Sequence, residues 1–232
     1  MTSGRTINWS GYTWNVKDSS GRKWGPGPNY FSGSNDNVWV DREGRLHLKI
    51  TKRKNKWYCA EVYNTQTLGY GTYRFFIDGR PDQLDPNITL GLFTYDSISD
   101  DAEANNYREI DIEFAKWGNP NALNSQYVVQ PYTNPSNIER FQTSLNGYRS
   151  THSFKWTPSE IKFMSLHGHY SDPPSPLEWY LIKEWSYNGK DIPDTKNEKA
   201  DINLWLMEGR APLDKQEAEI IITKFEFIPM NN

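Results

Sequence analysis

Short runs in which apolar and polar side chains alternate follow one another along the chain, and turn-forming residues close each run. Val38-Trp39-Val40-Asp41 and Leu46-His47-Leu48-Lys49-Ile50 are two such runs, separated by Arg42-Glu43-Gly44-Arg45. Alternation with a period of two residues is typical of a β-strand with one buried face, and the glycine supplies the positive φ of a tight turn. No long segment has a helical period, so the sequence predicts an all-β protein.

The predicted strands are numerous enough for two layers. Further strands are predicted at residues 57–63, 71–77, 89–94, 109–114, 125–130, 140–145, 152–156, 161–166, 179–185, 202–207 and 219–228. Antiparallel sheets of this size twist and curl, so two of them stacked face to face form a sandwich with one concave side. A chain of 232 residues suits a single domain of this kind, residues 1–232.

Composition narrows the class of partner. The formal net charge of -3 does not favour nucleic acid or an anionic membrane surface, and no run of 18 apolar residues could span a bilayer. The 10 Trp and 14 Tyr residues favour a neutral polymer such as a polysaccharide, although aromatic residues also suit sheet faces and cores. With no phosphate-binding glycine loop and no His/Cys cluster at metal spacing, we expect no cofactor and no metal ion. We also expect a monomer.

The one cysteine and the start of the chain bear on location. Cys59 cannot form an internal disulfide, and its strand-like neighbours predict a small buried hydrophobe. Met1-Thr2-Ser3-Gly4-Arg5 leads into no apolar segment, so the chain is either cytoplasmic or has lost a signal peptide. We expect the second, an extracellular protein.

One predicted strand concentrates acidic residues. Tyr107-Arg108-Glu109-Ile110-Asp111-Ile112-Glu113-Phe114 alternates carboxylic and apolar side chains. On a strand, Glu109, Asp111 and Glu113 share one face, where their like charges repel one another. A strand that served only stability would interleave a lysine, and none is present.

The spacing of these carboxyls fits one reaction. The Cα atoms of Glu109 and Glu113 should lie about 13 Å apart, and side chains that lean together could bring the carboxyls to about 5–5.5 Å. That is the separation in retaining glycosidases, where one carboxylate attacks the anomeric carbon and the other protonates the leaving oxygen. Asp111 could hydrogen-bond the nucleophile, and crowding should keep one carboxyl protonated. The acidic face of an exposed edge strand fits the segment, taken alone, equally well.

The flanking sequence favours the catalytic interpretation. Glu109–Phe114, read as Glu-Ile-Asp-Ile-Glu-Phe, resembles the active-site signature of glycoside hydrolase family 16, the laminarinase and lichenase family. Other segments resemble the family in the same order, between about residues 38 and 227: Cys59-Ala60-Glu61, Gly69-Tyr70-Gly71-Thr72-Tyr73, Leu92-Phe93-Thr94-Tyr95, Tyr132-Thr133-Asn134, residues 151–158 and Ile202-Asn203-Leu204-Trp205. The resemblance implies a β-jelly-roll with a concave sugar-binding groove and hydrolysis with retention of anomeric configuration. The motif has no extra residue before its second Glu, which favours a lichenase-like β-1,3-1,4-glucanase.

The resemblance also implies residue roles. Glu109 would be the nucleophile, Asp111 its assistant and Glu113 the general acid/base. The implied substrate contacts are Asn29, Glu61, Phe93, Tyr95, Tyr107, Tyr132, His152, Asn203 and Trp205. Core packing is the alternative for each aromatic residue, and a structural role is the alternative for His152.

Some positions depart from the lichenase pattern. Tyr63 stands where that pattern has an arginine, and Gln130 where it has an asparagine. Ile222-Thr223-Lys224-Phe225 lacks the aspartate that helps relatives to hold calcium, so no calcium is predicted. The segment 167–185 is longer than in the family pattern. It would either reshape one end of the groove or extend an outer hairpin.

Three functions remain open at this point. The first is a retaining endo-β-glucanase. The second is a transglycosylase, which would pass the same glycosyl-enzyme intermediate to a sugar hydroxyl. The third is a carbohydrate-binding protein that has lost catalysis, although such a protein would usually show a replaced catalytic Glu.

Overall fold

The computed structural model describes residues 4–231; residues 1–3, which belong to the N-terminal segment considered above, and residue 232 lie outside the described residues. Within residues 4–231 the chain forms sixteen strands. They are β1 (Thr6–Trp9), β2 (Tyr12–Val16), β3 (Tyr30–Phe31), β4 (Val38–Val40), β5 (Leu46–Arg53), β6 (Lys56–Asn64), β7 (Gly71–Asp78), β8 (Ile88–Tyr95), β9 (Ile110–Phe114), β10 (Ser125–Val129), β11 (Ile138–Phe141), β12 (Arg149–Trp156), β13 (Ile161–His167), β14 (Leu181–Tyr187), β15 (Lys199–Leu206) and β16 (Ala218–Pro229). Short 3-10 turns occupy Pro81–Gln83, Glu103–Arg108, Pro135–Asn137, Leu177–Trp179 and Met207–Gly209.

The strands form one continuous sheet that folds over itself into two layers. The first layer has the order β11-β10-β9-β8-β15-β6 and continues through β2 to β1. The second has the order β5-β16-β7-β12-β13-β14, with β4 beside β5. The β5–β6 hairpin links the layers. All of these pairings are antiparallel, whereas the short β3 pairs parallel to β6. The predicted all-β jelly-roll sandwich is therefore confirmed.

Aromatic contacts between the layers fill the core. The ring of Tyr127 on β10 stacks on that of Phe163 on β13, with 4.8 Å between the ring centroids. The ring of Trp14 on β2 meets Phe225 on β16 edge to face at 5.2 Å. Each fully buried aromatic residue removes a large apolar area from water, and favourable ring geometry adds about 0.5–1.5 kcal/mol per pair. These contacts bury one face of the first layer and leave its other face available for a ligand.

The N-terminal hairpin was not predicted from the sequence. The strands β1 and β2 are joined by Ser10 and Gly11, both at positive φ, so their pairing begins at Trp9 and Tyr12. A Ser-Gly dipeptide between two alternating runs is a recognised hairpin signal and could have located it. The predicted strand at 140–145 is displaced in the structure to Ile138–Phe141.

Other local predictions are confirmed. Lys54 and Asn55 form the tip of the β5–β6 hairpin, as expected for the basic run that contains them. Cys59 is fully buried, and burial raises the pKa of its thiol to about 12. The long segment after β13 packs on the second layer, where His169 Nε2 lies 2.8 Å from the Ile77 carbonyl oxygen. It therefore extends an outer hairpin and does not reshape the groove. Among the described residues, no helix has the length and apolar character to cross a membrane.

Candidate active site

The carboxylate strand lies inside the first layer. The strand β9 pairs with β8 on one side and with β10 on the other, so it is not an edge strand. Its apolar residues Ile110, Ile112 and Phe114 are buried in the core. Because side chains alternate across a strand, Asp111 and Glu113 point to the opposite, ligand-facing side. The edge-strand alternative is thus excluded.

The strand register lines up polar residues on that side. One row crosses five strand pairings through residues that are directly opposite one another: Arg140, Gln126, Glu113, Gly91, Asn203 and Glu61. A neighbouring row places Asp111 opposite Phe93, Phe93 opposite Asp201, and Asp201 opposite Tyr63. Residues from six strands are thus brought to one surface, although they are far apart in sequence.

Glu109 precedes the strand and does not belong to it. It has an extended backbone, and its carbonyl oxygen accepts a hydrogen bond from the Gln130 N–H at 3.1 Å. The three residues before it, Asn106, Tyr107 and Arg108, all have positive φ, between 49° and 56°. Residues with side chains rarely adopt this left-handed conformation, which costs of the order of 1 kcal/mol or more per residue. The surrounding contacts must therefore hold the turn that presents Glu109.

A buried ion cluster holds that turn. The Arg108 guanidinium is fully buried and lies 3.0 Å from a carboxylate oxygen of each of Asp96, Asp101 and Asp194. The Arg108 carbonyl oxygen also accepts a hydrogen bond from Thr94 Oγ1 at 2.9 Å. These contacts fix the backbone on the N-terminal side of Glu109. No local sequence pattern indicates this cluster, because its members are up to 98 positions apart in the chain.

The three carboxyls share one electrostatic environment. Burial raises the pKa of Glu109, Asp111 and Glu113, and repulsion between carboxylates raises the pKa of Glu109 and Asp111 further. The Asp111 carboxyl hydrogen-bonds Glu109 and so opposes the rise in the pKa of Glu109. The hydrogen bond between Asp111 and Glu109 lets these two carboxyls share a proton, so the three carboxyls need not all be ionised at once.

Amides from β10 and the residue after it contact the other two carboxyls. Gln126 Nε2 donates to Glu113 Oε2 at 2.6 Å, and Gln130 Nε2 donates to Asp111 Oδ2 at 3.0 Å. Burial raises the pKa of Glu113 to about 7, although the Gln126 hydrogen bond and the charge of Arg140 act in the opposite direction. An acid with a pKa near neutrality suits a group that first gives and then takes a proton.

Replacing Gln126 with leucine is expected to move the alkaline limb of the pH profile of kcat/KM to higher pH. The amide stabilises the ionised form of Glu113, so its removal raises the pKa and Glu113 keeps its proton to higher pH. The measurement is kcat/KM on a soluble β-glucan over a broad pH range. The exposed Gln142 provides a matched control, Gln142→Leu, which should leave the limb in place. An unchanged limb in Gln126→Leu would contradict the assignment of Glu113 as the acid.

A cavity of about 520 Å³ opens over the triad, and we call it the central cavity. Its lining comprises Lys17, Trp24, Gly25, Pro26, Glu61, Gly91, Phe93, Tyr95, Glu109, Asp111, Glu113, Asp201, Asn203 and Trp205. The volume is within the usual range for a pocket that takes a small ligand. Five predicted substrate contacts, Glu61, Phe93, Tyr95, Asn203 and Trp205, line it together with the three predicted catalytic residues.

The floor of the central cavity is tightly packed. Asn203 Nδ2 donates to Glu61 Oε2 at 3.3 Å, and Lys17 Nζ lies 2.7 Å from Glu61 Oε1. A Cβ atom on Gly91 would come 2.5 Å from Asn203 Oδ1, so a larger residue here would have to displace the Asn203 side chain. The Asn203 side chain consequently lies flat across β8, beside Glu113.

A second cavity of about 410 Å³ lies on the far side of Glu113, and we call it the side cavity. It is lined by Gly27, Glu113, Trp117, Gln126, Gln130, Tyr132, Ile138, Arg140, Trp205, Met207 and Glu208. Glu113 and Trp205 line both cavities, whereas Glu109 lines only the central one. The two cavities thus form one groove with Glu113 at its middle.

Two predicted aromatic contacts have distinct positions. Tyr132 is 64% exposed and lines the side cavity. Tyr107 lines neither cavity; its ring stacks on that of Tyr95, with 5.1 Å between the centroids and an interplanar angle of 18°. Tyr107 therefore orients a cavity-lining ring in the ligand-free protein.

The predicted contact between Asn29 and substrate is not supported by its position. Asn29 is buried, and its Nδ2 donates to the carbonyl oxygens of Pro26 and Leu206, each at 2.8 Å. These bonds attach the loop that carries Trp24 and Pro26 to the end of β15. Asn29 positions one wall of the central cavity because both of its amide hydrogens are used within the protein.

The predicted groove position of His152 is also corrected. His152 is fully buried on the core side of β12, with Ser165 Oγ 2.8 Å from its Nδ1 and Ser150 Oγ 2.9 Å from its Nε2. Its ring packs edge-on against Phe114, behind the carboxylate strand. Burial lowers the pKa of His152 to about 3, so it is a neutral core residue with both nitrogens paired.

Several residues that line the groove were missed. They are Lys17, Trp24, Pro26, Trp117, Gln126, Arg140 and Asp201. Trp24, next to Gly25-Pro26-Gly27-Pro28, had a signal, since a Trp beside a Gly/Pro-rich loop is exposed more often than one inside a strand. Asp201 and Arg140 lie in the groove because of the way their strands pair, and no local sequence pattern indicates that pairing.

The sequence and the fold were compared with those of known proteins. No family model matches the chain. A curated β-glucanase of Paenibacillus macerans is 27% identical over 161 residues, which make up 67% of this chain and 65% of that protein. The chain thus spans slightly less than two thirds of the length of the curated relative that it matches.

Solved structures extend the comparison to the whole fold. The Bacillus licheniformis β-glucanase aligns with a TM-score of 0.65 and 20% identity, over 99% of this chain and 100% of that one. An immunostimulatory antigen and pseudo β-1,3-glucanase of Mycobacterium tuberculosis has a TM-score of 0.66 and 18% identity, over 94% and 91% of the two chains. A non-specific endo-β-1,3(4)-glucanase of family GH16 has a TM-score of 0.64 and 12% identity, over 92% and 83%.

At these identities the structural likeness establishes the fold, and the curated relative adds a relationship in sequence. The Glu109–Glu113 motif lies in that fold on the ligand-facing side of an interior strand. The chain is thus related in sequence to a curated β-glucanase and shares the fold of the solved β-glucanases.

Proposed function

We propose that the protein is a retaining endo-glycosidase that hydrolyses a β-linked glucan, with mixed-linkage β-1,3-1,4-glucan as the favoured substrate. The observation that carries the proposal is the convergence of Glu109, Asp111 and Glu113 on one cavity in the middle of an open groove. A groove open at both sides of the reacting groups accepts an internal segment of a chain, which suits endo cleavage.

In the first step Glu109 attacks the anomeric carbon while Glu113 donates its proton to the glycosidic oxygen. The bond between the anomeric carbon and that oxygen breaks, and a covalent glycosyl-Glu109 intermediate forms. Glu113, whose pKa is raised to about 7, supplies the proton, and the hydrogen bond from Asp111 opposes the burial that raises the pKa of Glu109 to about 8.

In the second step Glu113, now ionised, removes a proton from water as the water oxygen attacks the anomeric carbon. The ester bond to Glu109 breaks, and the sugar leaves with its original configuration because two inversions have occurred. Both steps use the same pair of carboxyls: Glu113 acts first as an acid and then as a base, and Glu109 acts first as the nucleophile and then as the leaving group.

The two cavities give the substrate a direction. Glu113 must reach the leaving oxygen, so the side cavity, which Glu113 lines without Glu109, takes the leaving half of the chain. The central cavity, which Glu109 lines, takes the half that becomes covalently bound. Trp205 lines both cavities and offers an apolar surface at the junction.

The groove and its substrate also bear on the oligomeric state of the protein and on where it acts. A groove formed wholly by one chain needs no second copy, which supports a monomer. A polymeric glucan is too large to cross a membrane unaided, which supports action outside the cell.

The proposal is tested by reducing-sugar release from mixed-linkage glucan, laminarin, xyloglucan and carboxymethyl cellulose. Release from mixed-linkage glucan alone is the expected result, with retention of configuration observed by NMR during the first turnovers. Release from laminarin would keep the mechanism and overturn the linkage preference. No release from any substrate by folded protein would contradict the enzyme assignment.

A transglycosylase would use the same intermediate, so the assay is repeated with an added sugar acceptor. Only shorter products are expected. Products longer than the substrate would move the assignment to glycosyl transfer. Binding without cleavage, as expected of a pseudo-enzyme, would require a cause outside the triad, because neither Glu109 nor Glu113 is replaced.

A further inference from the structure

The side chain of Asp201 lies in the central cavity and has no part in the mechanism above. Asp201 is on β15, directly opposite Phe93 of β8 and Tyr63 of β6, and it lines the central cavity with Glu109 and Asp111. The residue is 6% exposed. Its position is therefore beside the sugar unit that becomes attached to Glu109.

One oxygen of the Asp201 carboxyl lacks a partner among the described residues. Its Oδ1 is buried and has no hydrogen-bond partner among residues 4–231. An unpaired buried polar group costs about 1–3 kcal/mol, which a protein tolerates where the group is satisfied at another stage of its function. Burial and the neighbouring Glu61 raise the pKa of Asp201 well above its usual range. The neutral carboxyl then has one donor and one acceptor to offer.

The charges around Asp201 indicate the kind of group it meets. Four more carboxyls line the same cavity, at Glu61, Glu109, Asp111 and Glu113, so an anionic substituent would be repelled. The Lys17 ammonium on the cavity wall is already paired with Glu61 and so offers no free cation to an anionic substituent. An uncharged donor, such as a ring hydroxyl, does not meet this repulsion.

We propose that Asp201 hydrogen-bonds a ring hydroxyl of an uncharged glycosyl unit in the central cavity and thereby favours unsubstituted glucan over acidic polysaccharide. This inference rests on the proposed function. Tyr63, at the position where the lichenase pattern has an arginine, lies directly across from Asp201. Asp201 thus lies between two aromatic residues, Tyr63 and Phe93, and offers a carboxyl for hydrogen bonding in that row.

The test compares Asp201→Asn with Asp201→Leu on the best glucan substrate. The amide keeps one donor and one acceptor, so Asp201→Asn should retain kcat/KM within about threefold. Leucine has neither, so Asp201→Leu should lose about tenfold or more in kcat/KM, equivalent to about 1.4 kcal/mol. Asp172→Leu, at an exposed position in the loop between β13 and β14, is the matched control and should equal wild type.

Thermal melting separates ligand binding from a structural role. Because Asp201 Oδ1 is unpaired in the free protein, Asp201→Leu should melt at the same temperature as wild type or higher. The stabilisation of a Glu113→Gln protein by a mixed-linkage tetrasaccharide should be smaller when Asp201→Leu is added. A lower melting temperature of the free variant, with unchanged stabilisation by the sugar, would overturn the inference.

The same proteins distinguish failure of the Asp201 inference from failure of the proposed function. If wild type cleaves glucan and Asp201→Leu cleaves it equally well, the inference fails and the proposed function stands. If wild type neither cleaves nor binds any glucan, the proposed function fails. If a glucosamine tetramer bound more tightly than the neutral tetrasaccharide, and Asp201→Leu abolished this preference, the partner of Asp201 would be an ammonium group. That result would overturn the inference.

Discussion

Glu109→Gln and Glu113→Gln should each reduce kcat/KM on β-glucan by about 10³-fold or more, equivalent to about 4 kcal/mol of transition-state stabilisation. Glutamine at 109 cannot form the covalent intermediate at a useful rate, and glutamine at 113 has no proton to donate to the leaving oxygen. Asp111→Asn should be slower than wild type with a smaller loss, because Asp111 assists Glu109 without contacting the anomeric carbon. The measurement is steady-state hydrolysis of a soluble β-glucan.

Stability measurements distinguish lost chemistry from lost structure. The pKa of each of the two glutamates is raised in the folded protein, so the folded state takes up protons that the unfolded chain does not bind at neutral pH. This difference lowers stability as pH rises from the ordinary carboxyl pKa of about 4.3 through the raised pKa. Glutamine removes the effect, and both variants should therefore melt at or above the wild-type temperature at neutral pH. An inactive variant with a clearly lower melting temperature would leave the mechanism unsupported.

Azide rescue assigns the two roles individually. With an aryl β-glucoside that needs no acid, Glu113→Ala should still form the glycosyl-Glu109 intermediate, and azide should then yield a β-glycosyl azide with retained configuration. In Glu109→Ala no intermediate forms, and direct attack by azide should yield the inverted α-azide. The opposite pairing of products would exchange the roles of Glu109 and Glu113.

Arg108→Met should lower the free energy of unfolding by about 3–5 kcal/mol, or the melting temperature by roughly 6–20 °C for a chain of this size. Arg108 and Asp96 are both fully buried, so methionine leaves the Asp96 carboxylate without its cation. The left-handed conformation of residues 106–108 also loses the contacts that hold it. Denaturant unfolding measures the effect, and reduced activity should accompany it because Glu109 follows this turn.

The pH dependence of the difference between wild type and Arg108→Met provides a second readout. Hydrogen bonds from Arg108 and Lys196 lower the pKa of Asp101 to about 2, and the pKa of Asp96 is lowered as well. Carboxyls with a lowered pKa stabilise the fold above their unfolded pKa of about 3.9, and this contribution is lost as pH falls through the folded value. The difference in stability should therefore shrink in acid.

The exposed residue Arg42 provides the control for this substitution. Arg42→Met should change the free energy of unfolding by no more than about 0.5 kcal/mol, since surface substitutions away from specific contacts have small effects. An Arg108→Met protein as stable as Arg42→Met would show that the buried cluster contributes nothing to the turn before Glu109.

Sequence by itself determined the elements that depend on local periodicity. Alternation in Ile110–Phe114 determined which side chains share a face, and Gly44 and the Lys54-Asn55 tip located turns, because these features follow from the geometry of one strand or one turn. The motif together with its flanking segments also indicated the family. These inferences needed no knowledge of which strands pair.

Only the tertiary structure decided what each face meets. His152 and Asp201 are both polar residues on predicted strands, yet the pairing of β12 with β7 and β13 buries His152 in the core, and the position of β15 between β8 and β6 turns Asp201 into the central cavity. Arg108 likewise gained its buried partners from Asp96 and from Asp194, which is 86 positions away. A period of two residues assigns side chains to two faces but contains no information about what covers either face, and that is set by strand pairs and layers distant in sequence.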